Sequence, residues 1–229
     1  MDGDADLATI GAAIGDPARA LMLSALIGGR SLPATELARI GKVAPSTASS
    51  HLSRLGAAGL IEVERRGRHR YHRLADERVA HALEALAAVA SPLPIRSLRA
   101  AQQSTAERAA RSCYDHLAGA LGVAVTDQLC FVGTLDRATL GLLDPRPLRA
   151  LGVDVDALAP SRRALTRACL DWTERRDHLA GRLGAALLET LLERAWIVRA
   201  AHGRALTVTP AGRGGFRDSL DLDVSALAA

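Results

Sequence analysis

The sequence predicts a mainly α-helical fold with small β-hairpins, built in two parts, the second of which repeats itself. Three observations carry this reading. Residues 7–90 string together helix-spaced apolar runs punctuated by Gly and Pro, interrupted once by two short alternating runs, "LIEVER" and "HRYHRL". The stretch "SPLPI" at 91–95 holds two prolines in three residues and cannot continue a helix. The pentamer Asp-His-Leu-Ala-Gly then occurs twice, in "CYDHLAGALG" at 113–122 and "RRDHLAGRLG" at 175–184. The expected organisation is a domain at 1–90, a linker at 91–103, and a helical domain at 104–220 with repeat units at about 104–153 and 161–215.

The elements follow in order. A first helix runs from about Leu7 to Ile14, and Gly15 ends it. Asp16-Pro17 supplies an N-cap and a first-turn proline for "PARALMLSALI", which places Ala20, Leu23 and Ile27 on one stripe. Pro33 opens "PATELARI", Gly41 closes it, and Pro45 opens "PSTASSHLSRLGAAG" after a short turn. The two alternating runs read as a hairpin turning near Arg66-Gly67. Asp76 caps "ERVAHALEALAAVA", with Val79, Leu83, Leu86 and Ala90 on one face. In the second part Ser104 and Glu107 form a capping box, and Ala106, Ala110, Cys113, Leu117 and Leu121 follow helical spacing. Leu165, Cys169, Trp172 and Leu179 do the same in the second copy. "LLDP" at 142–145 falls opposite "TVTP" at 207–210, so the repeat spans a helix, a helix, a strand and a turn.

Composition narrows the function classes. The chain has 229 residues, 24% charged and 48% hydrophobic, an ordinary globular balance. Net charge is +4, a mild bias toward an anionic partner, but Lys42 is the only lysine and the arginine-alanine usage is what GC-rich coding would produce. Cys113, Cys130 and Cys169 are widely spaced and odd in number, which argues against a disulfide framework. The acidic start "MDGDADLATIG" has neither the basic onset nor the apolar run of a signal peptide, and no apolar stretch reaches about 20 residues. The expectation is a cytoplasmic protein with no membrane partner. G-x-S-x-G, P-loop, G-x-G-x-x-G and H-E-x-x-H motifs are absent, so no catalytic residues are assigned and the chain is not read as an enzyme.

Chemistry concentrates in residues 39–73. Eight basic side chains (Arg39, Lys42, Arg54, Arg65, Arg66, Arg68, Arg70, Arg73) face only Glu62 and Glu64. The helix from Pro45 buries Ala48, Leu52 and Leu55 and turns Ser46, Ser49, Ser50 and Ser53 to the opposite face. Short hydroxyl side chains let a helix approach base edges, with Thr47 beside them and Arg54 placed for a phosphate. The hairpin "RRGRHRYHR" adds Arg66, Arg68, His69 and Arg70 for the adjacent backbone or minor groove. A small polar helix beside a basic wing is a winged helix-turn-helix that binds double-stranded DNA. The rival reading is a protein-interaction module that uses the same fold.

The run "ELARIGKVAPSTASSHLSRLGAAGLIEVERRGRHRYHRL" resembles the ArsR/SmtB family of bacterial repressors, and the resemblance extends over about residues 7–90. It implies a homodimer built on the first helix and the helix at 76–90. It also implies an operator with two-fold symmetry and release by an effector. "PATELARI" lacks the cysteine pair that metal-sensing relatives carry. Asp76, His81 and Glu84 do not complete the zinc-ligand set that other relatives place on the last helix.

The second part leaves its ligand open. No cofactor is assigned; a metal ion or a small-molecule effector are the classes considered, and a metal- or thiol-redox-responsive switch is a further alternative. Cys113, His116, Cys169 and His178 are the candidate metal ligands. On helices, Cys113 and His116 share a face, whereas Cys169 and His178, nine apart, fall on opposite sides. The pentamer alignment pairs Cys113 with Arg175, so the cysteines are not read as equivalents. Core packing is therefore preferred for both cysteines, and separate buried hydrogen bonds for His116 and His178. Tyr114, Phe131, Trp172 and Trp196 fit an apolar effector pocket.

Overall fold

The computed structural model describes residues 4–91, 94, 97–158, 160–201 and 203–227. They fall into two compact units that divide between Leu83 and Glu84. Of the proline segment expected to separate the domains, residues 92, 93 and 95 lie outside the described residues.

The N-terminal unit begins with α1 (Leu7–Ile14) and α2 (Pro17–Leu26). Asp6 and Asp16 cap them, each carboxylate accepting a backbone N–H three residues on. A two-residue strand, β1 (Leu32–Pro33), precedes α3 (Ala34–Gly41) and α4 (Pro45–Ala57). Lys42 ends α3 in the left-handed region at φ 55°, reversing the chain into α4. The hairpin is β2 (Ile61–Arg66) with β3 (His69–Leu74), in register from Ile61 opposite Leu74 to Arg66 opposite His69. Its turn is Gly67-Arg68, one residue beyond the expected place, and β1 joins as an unanticipated third strand with Leu32 opposite His72. Met22, Leu23, Leu26, Leu37, Leu55 and Leu74 form the centre, each at most 2% exposed. Next comes α5 (Glu77–Val89), with Asp76 accepting from Val79 N–H as the sequence suggested.

The second unit departs from the sequence reading at its start. α6 (Leu98–Ala109) is capped by Ser97, so residues 98–103 are helix and not linker, and Ser104 and Glu107 lie inside it. The expected helix through Cys113 and Leu117 is a hairpin, β4 (Arg111–Cys113) with β5 (His116–Ala118). α7 (Gly119–Phe131) follows directly, and α8 (Arg146–Ala150) lies beyond a loop in which Leu135 bridges Leu142. The second copy repeats the plan. β6 (Arg167–Leu170) and β7 (Asp177–Ala180) replace the expected helix, and α9 (Gly181–Glu193) follows. β8 (Ile197–Arg199), β9 (Leu206–Val208) and α10 (Pro210–Leu220) complete it. The repeat is thus hairpin, helix, small hairpin or bridge, helix. "LLDP" and "TVTP" do correspond, since each ends a strand or bridge and leads through proline into a helix.

The two copies are crossed. α7 packs against β7 and α9 against β5, while β5 lies against β7. Thr126 on α7 accepts the N–H of Leu179 on β7 at 2.9 Å and donates to Gly122 O at 2.8 Å. Leu121, Val125 and Leu129 meet Leu183, Leu187 and Leu191 in one apolar core. Each half therefore completes the other.

Candidate nucleic-acid interface and a buried cysteine-histidine cluster

α4 presents the face that its sequence dictates. Ala48, Leu52 and Leu55 are buried, which leaves Ser46, Thr47, Ser49, Ser50, Ser53 and Arg54 exposed. Ser49 donates to Pro45 O at 3.0 Å, one turn back on the same helix. The helix is anchored from behind by Arg19, only 7% exposed. Its guanidinium donates to Ala13 O at 2.5 Å and Ala12 O at 2.8 Å, closing the end of α1, and meets Nδ1 of His51 on α4 at 3.1 Å. Sequence reasoning missed this anchor; Arg19 lies on the buried side of an otherwise apolar helix, which is the only signal it leaves.

In the wing, Arg65, Arg66, Arg68, His69 and Arg70 are all exposed. Two arginines of the run are already neutralised: Arg66 pairs with Glu64 at 2.9 Å, and Arg73 pairs with Glu62. The Arg66 hydrogen bond, with Ser31 adding to it, holds the Glu64 carboxyl below its usual value. Among the described residues, Arg54, Arg65, Arg68 and Arg70 have no acidic partner. Positive potential is thus concentrated at the turn tip and at the end of α4.

The second assembly is one that helical spacing obscured. In β4–β5, Cys113 stands opposite His116; in β6–β7, Cys169 stands opposite His178. Directly opposed residues of an antiparallel pair project to one face. The nine-residue spacing that would scatter Cys169 and His178 around a helix is absorbed by a longer turn, so the cysteines are equivalent after all. With β5 against β7, the side chains converge: the ligand atoms of all four lie within 4.8 Å of one another. The two sulfurs are 3.9 Å apart and the imidazole centroids 5.1 Å apart, with every one of these residues at most 5% exposed. The histidines therefore share one site. Three of the four aromatics expected to line a pocket stand in different surroundings: Trp196 packs edge-on against Phe216, Trp172 lies beneath Arg111, and Phe131 is 81% exposed.

Charge around the cluster is balanced in pairs. Asp115 reaches His116 Nδ1 at 3.4 Å and accepts two hydrogen bonds from Arg163. Burial opposes its ionisation, but His116 and Arg163 win and hold the carboxyl at about 2. Asp171 lies 3.7 Å from His178 Nδ1 and accepts from Arg111 at 2.9 Å and from Gly119 N–H, at the start of α7, at 2.7 Å. Despite burial, Arg111, Thr173 and Gly119 keep it ionised well below its ordinary range. The bond to Cys169 and burial push the Cys113 thiol well up. For His116, burial is outweighed by Asp115 and Cys113, which raise it to about 9. On α5, two members of the incomplete ligand set are engaged elsewhere: Glu84 is buried and accepts from Arg204 at 2.5 Å, while Asp76 caps the helix.

Comparison with known proteins identifies the family of the chain. Residues 16–63, the span from Asp16 to the start of the wing, match the model for "Bacterial regulatory protein, arsR family". Over 223 residues, 96% of this chain and 99% of the relative, the chain is 40% identical to YdfF, an uncharacterized HTH-type transcriptional regulator of Bacillus subtilis (strain 168). The chain belongs to the arsR family. This arsR-family regulator is also 36% identical over 104 residues to the HTH-type transcriptional regulator CmtR of Mycobacterium tuberculosis, covering 45% of the chain and 83% of CmtR. Among solved structures, the cadmium metal-sensor CmtR from that organism shares 34% identity over 40% of the chain and 99% of its own, with a TM-score of 0.32. The homodimeric winged helix-turn-helix domain of Mb0332 from Mycobacterium bovis shares 28% identity, covering 38% of the chain and 86% of its own, with a TM-score of 0.33. The arsR-family regulator is thus a DNA-binding transcription regulator whose second unit is shared along its length with a full-length relative. Among its described residues, no helix is long and apolar enough to cross a membrane.

Proposed function

We propose that the chain is a homodimeric repressor that binds a two-fold symmetric operator through α4 and the wing, and that an effector acting through the second unit releases it. On this reading Ser46, Thr47, Ser49 and Ser50 read base edges in the major groove. Arg54, Arg68 and Arg70 hold phosphates, with His69 beside them, and Arg66 joins them once DNA competes with Glu64. One observation carries the proposal: α4 exposes a continuous small hydroxyl face beside a wing in which Arg65, Arg68 and Arg70 have no acidic partner among the described residues. Dimerisation is supported by apolar side chains left in solvent, Leu7 on α1 at 76% exposure and Leu86 and Val89 on α5 at 49% and 82%. It acts by binding, with no catalytic step.

A gel shift using the DNA upstream of the regulator's own gene tests the reading. Retardation at nanomolar protein, competed by the same site and not by scrambled DNA, is expected. Absence of retardation at micromolar protein overturns it in favour of an interaction module that docks a protein.

A further inference from the structure

We propose that Cys113, His116, Cys169 and His178 bind one zinc-class divalent cation, which clamps the two hairpins of the repeat together. This inference does not depend on the operator reading. Two thiolates and two imidazoles are the donor set that a borderline-soft cation selects over the oxygen-preferring magnesium or calcium. The spacing fits as well as the chemistry. All four ligand atoms lie within 4.8 Å of one another. A tetrahedron with metal–sulfur bonds of about 2.3 Å has a sulfur–sulfur edge of about 3.8 Å; the observed separation is 3.9 Å. A disulfide would require about 2.05 Å.

Charge supports the assignment. Two thiolates offset a divalent ion inside a site whose members are at most 5% exposed. The nearby carboxylates are not needed for that balance, because Arg163 faces Asp115 and Arg111 faces Asp171. Those aspartates instead stand at the Nδ1 atoms of His116 and His178, at 3.4 and 3.7 Å, the place from which an outer-shell carboxylate orients a metal-binding imidazole. Nε2 of each ring is then the ligand. With four protein donors no position remains for substrate, so the ion is structural or regulatory and not catalytic. Each hairpin supplies only one cysteine and one histidine, so the coordination sphere closes only when both copies of the repeat are folded together.

The full-length chain, purified in the presence of reductant, is assayed for metal by plasma mass spectrometry, then stripped and reconstituted with Co²⁺. One zinc per chain is expected, with tetrahedral d–d bands and thiolate-to-cobalt charge transfer in the cobalt form. Cys113→Ser and His178→Ala should reduce the metal to background, and Asp115→Asn, a positioning change, should weaken affinity about 10–100-fold. If a ligand variant does not fold, the charge-transfer intensity of the wild-type cobalt protein counts its thiolates: two support the site and none overturns it. A reduced wild-type chain that takes up neither metal overturns the proposal. So does a folded Cys113→Ser, Cys169→Ser double variant that retains full stoichiometry, or a Cys113–Cys169 disulfide that persists under reductant.

Discussion

Arg111 is wholly buried, and its charge is met by Asp171 at 2.9 Å and Glu84 at 3.9 Å over the face of Trp172 at 5.2 Å. Arg204 meets the same Glu84, so two guanidiniums share two buried carboxylates. Removing one partner of such a set strands a buried charge. Asp171→Asn is expected to lower stability by roughly 3–5 kcal/mol in urea unfolding. Asp127→Asn, whose partners Arg137 and Arg176 are exposed, should cost no more than about 1 kcal/mol. A second residue-scale expectation concerns the wing. Burial of His72 lowers its pKa, with Leu32 opposing and Arg70 assisting. The folded chain then stays neutral there while the unfolded chain takes up a proton below about pH 6.5. Stability should fall as the pH drops from 6.5, and His72→Gln should reduce that loss when unfolding midpoints at about pH 7.5 and 5.5 are compared.

At the scale of elements, the doubled "HLAG" motif is a hairpin-to-helix junction. Gly119 and Gly181 start α7 and α9 at φ +78° and +81°. A Cβ at either would lie 2.7 Å from Arg108 O or 2.8 Å from Leu165 O, backbone atoms that cannot step aside. Gly119→Ala and Gly181→Ala should each destabilise the second unit by upward of about 2 kcal/mol, left-handed strain plus the clash. Thermal unfolding of the full chain checks this; a change within about 0.5 kcal/mol would show that the junction can relax. The sequence displayed the repeat but disguised its first element. Three-residue strands such as β4 and β5 are too short to establish an alternating pattern, and Ala110, Cys113, Leu117 and Leu121 mimic helical spacing by coincidence. A clue did exist in "CYD" and "CLD", which align Cys113 with Cys169 and Asp115 with Asp171 once the pentamer is allowed a gap.

For the whole molecule, the electrostatic part of DNA binding sets a quantitative expectation. If Arg68 and Arg70 each neutralise one phosphate, Arg68→Ala with Arg70→Ala should reduce the salt slope of log K by about 1.8 per protomer, or about 3.6 for a dimer. Fluorescence anisotropy across a salt series measures it, and the loss should be similar on operator and scrambled DNA. Ser50→Ala should instead erode the preference for operator while leaving the slope unchanged. Leu86→Glu with Val89→Glu should convert a dimer to monomer in sedimentation, since both side chains are solvent-exposed in one protomer.

The winged helix-turn-helix was legible in the sequence alone because its information is local. Caps at Asp16 and Asp76, prolines at 17 and 45, the 3.6-residue apolar period of α4 and the two-residue period of the hairpin each act within a few positions. The serine face and the basic wing are consequences of the same periods. The pairing of Arg19 with His51, the buried Arg111 network and the convergence of four cysteine and histidine side chains were decided only by tertiary structure. They join residues 27 to 120 positions apart, through strands too short to leave a period and through a second copy of the repeat packed across the first. Linear spacing cannot report such contacts, because the intervening turns change length without changing which faces meet.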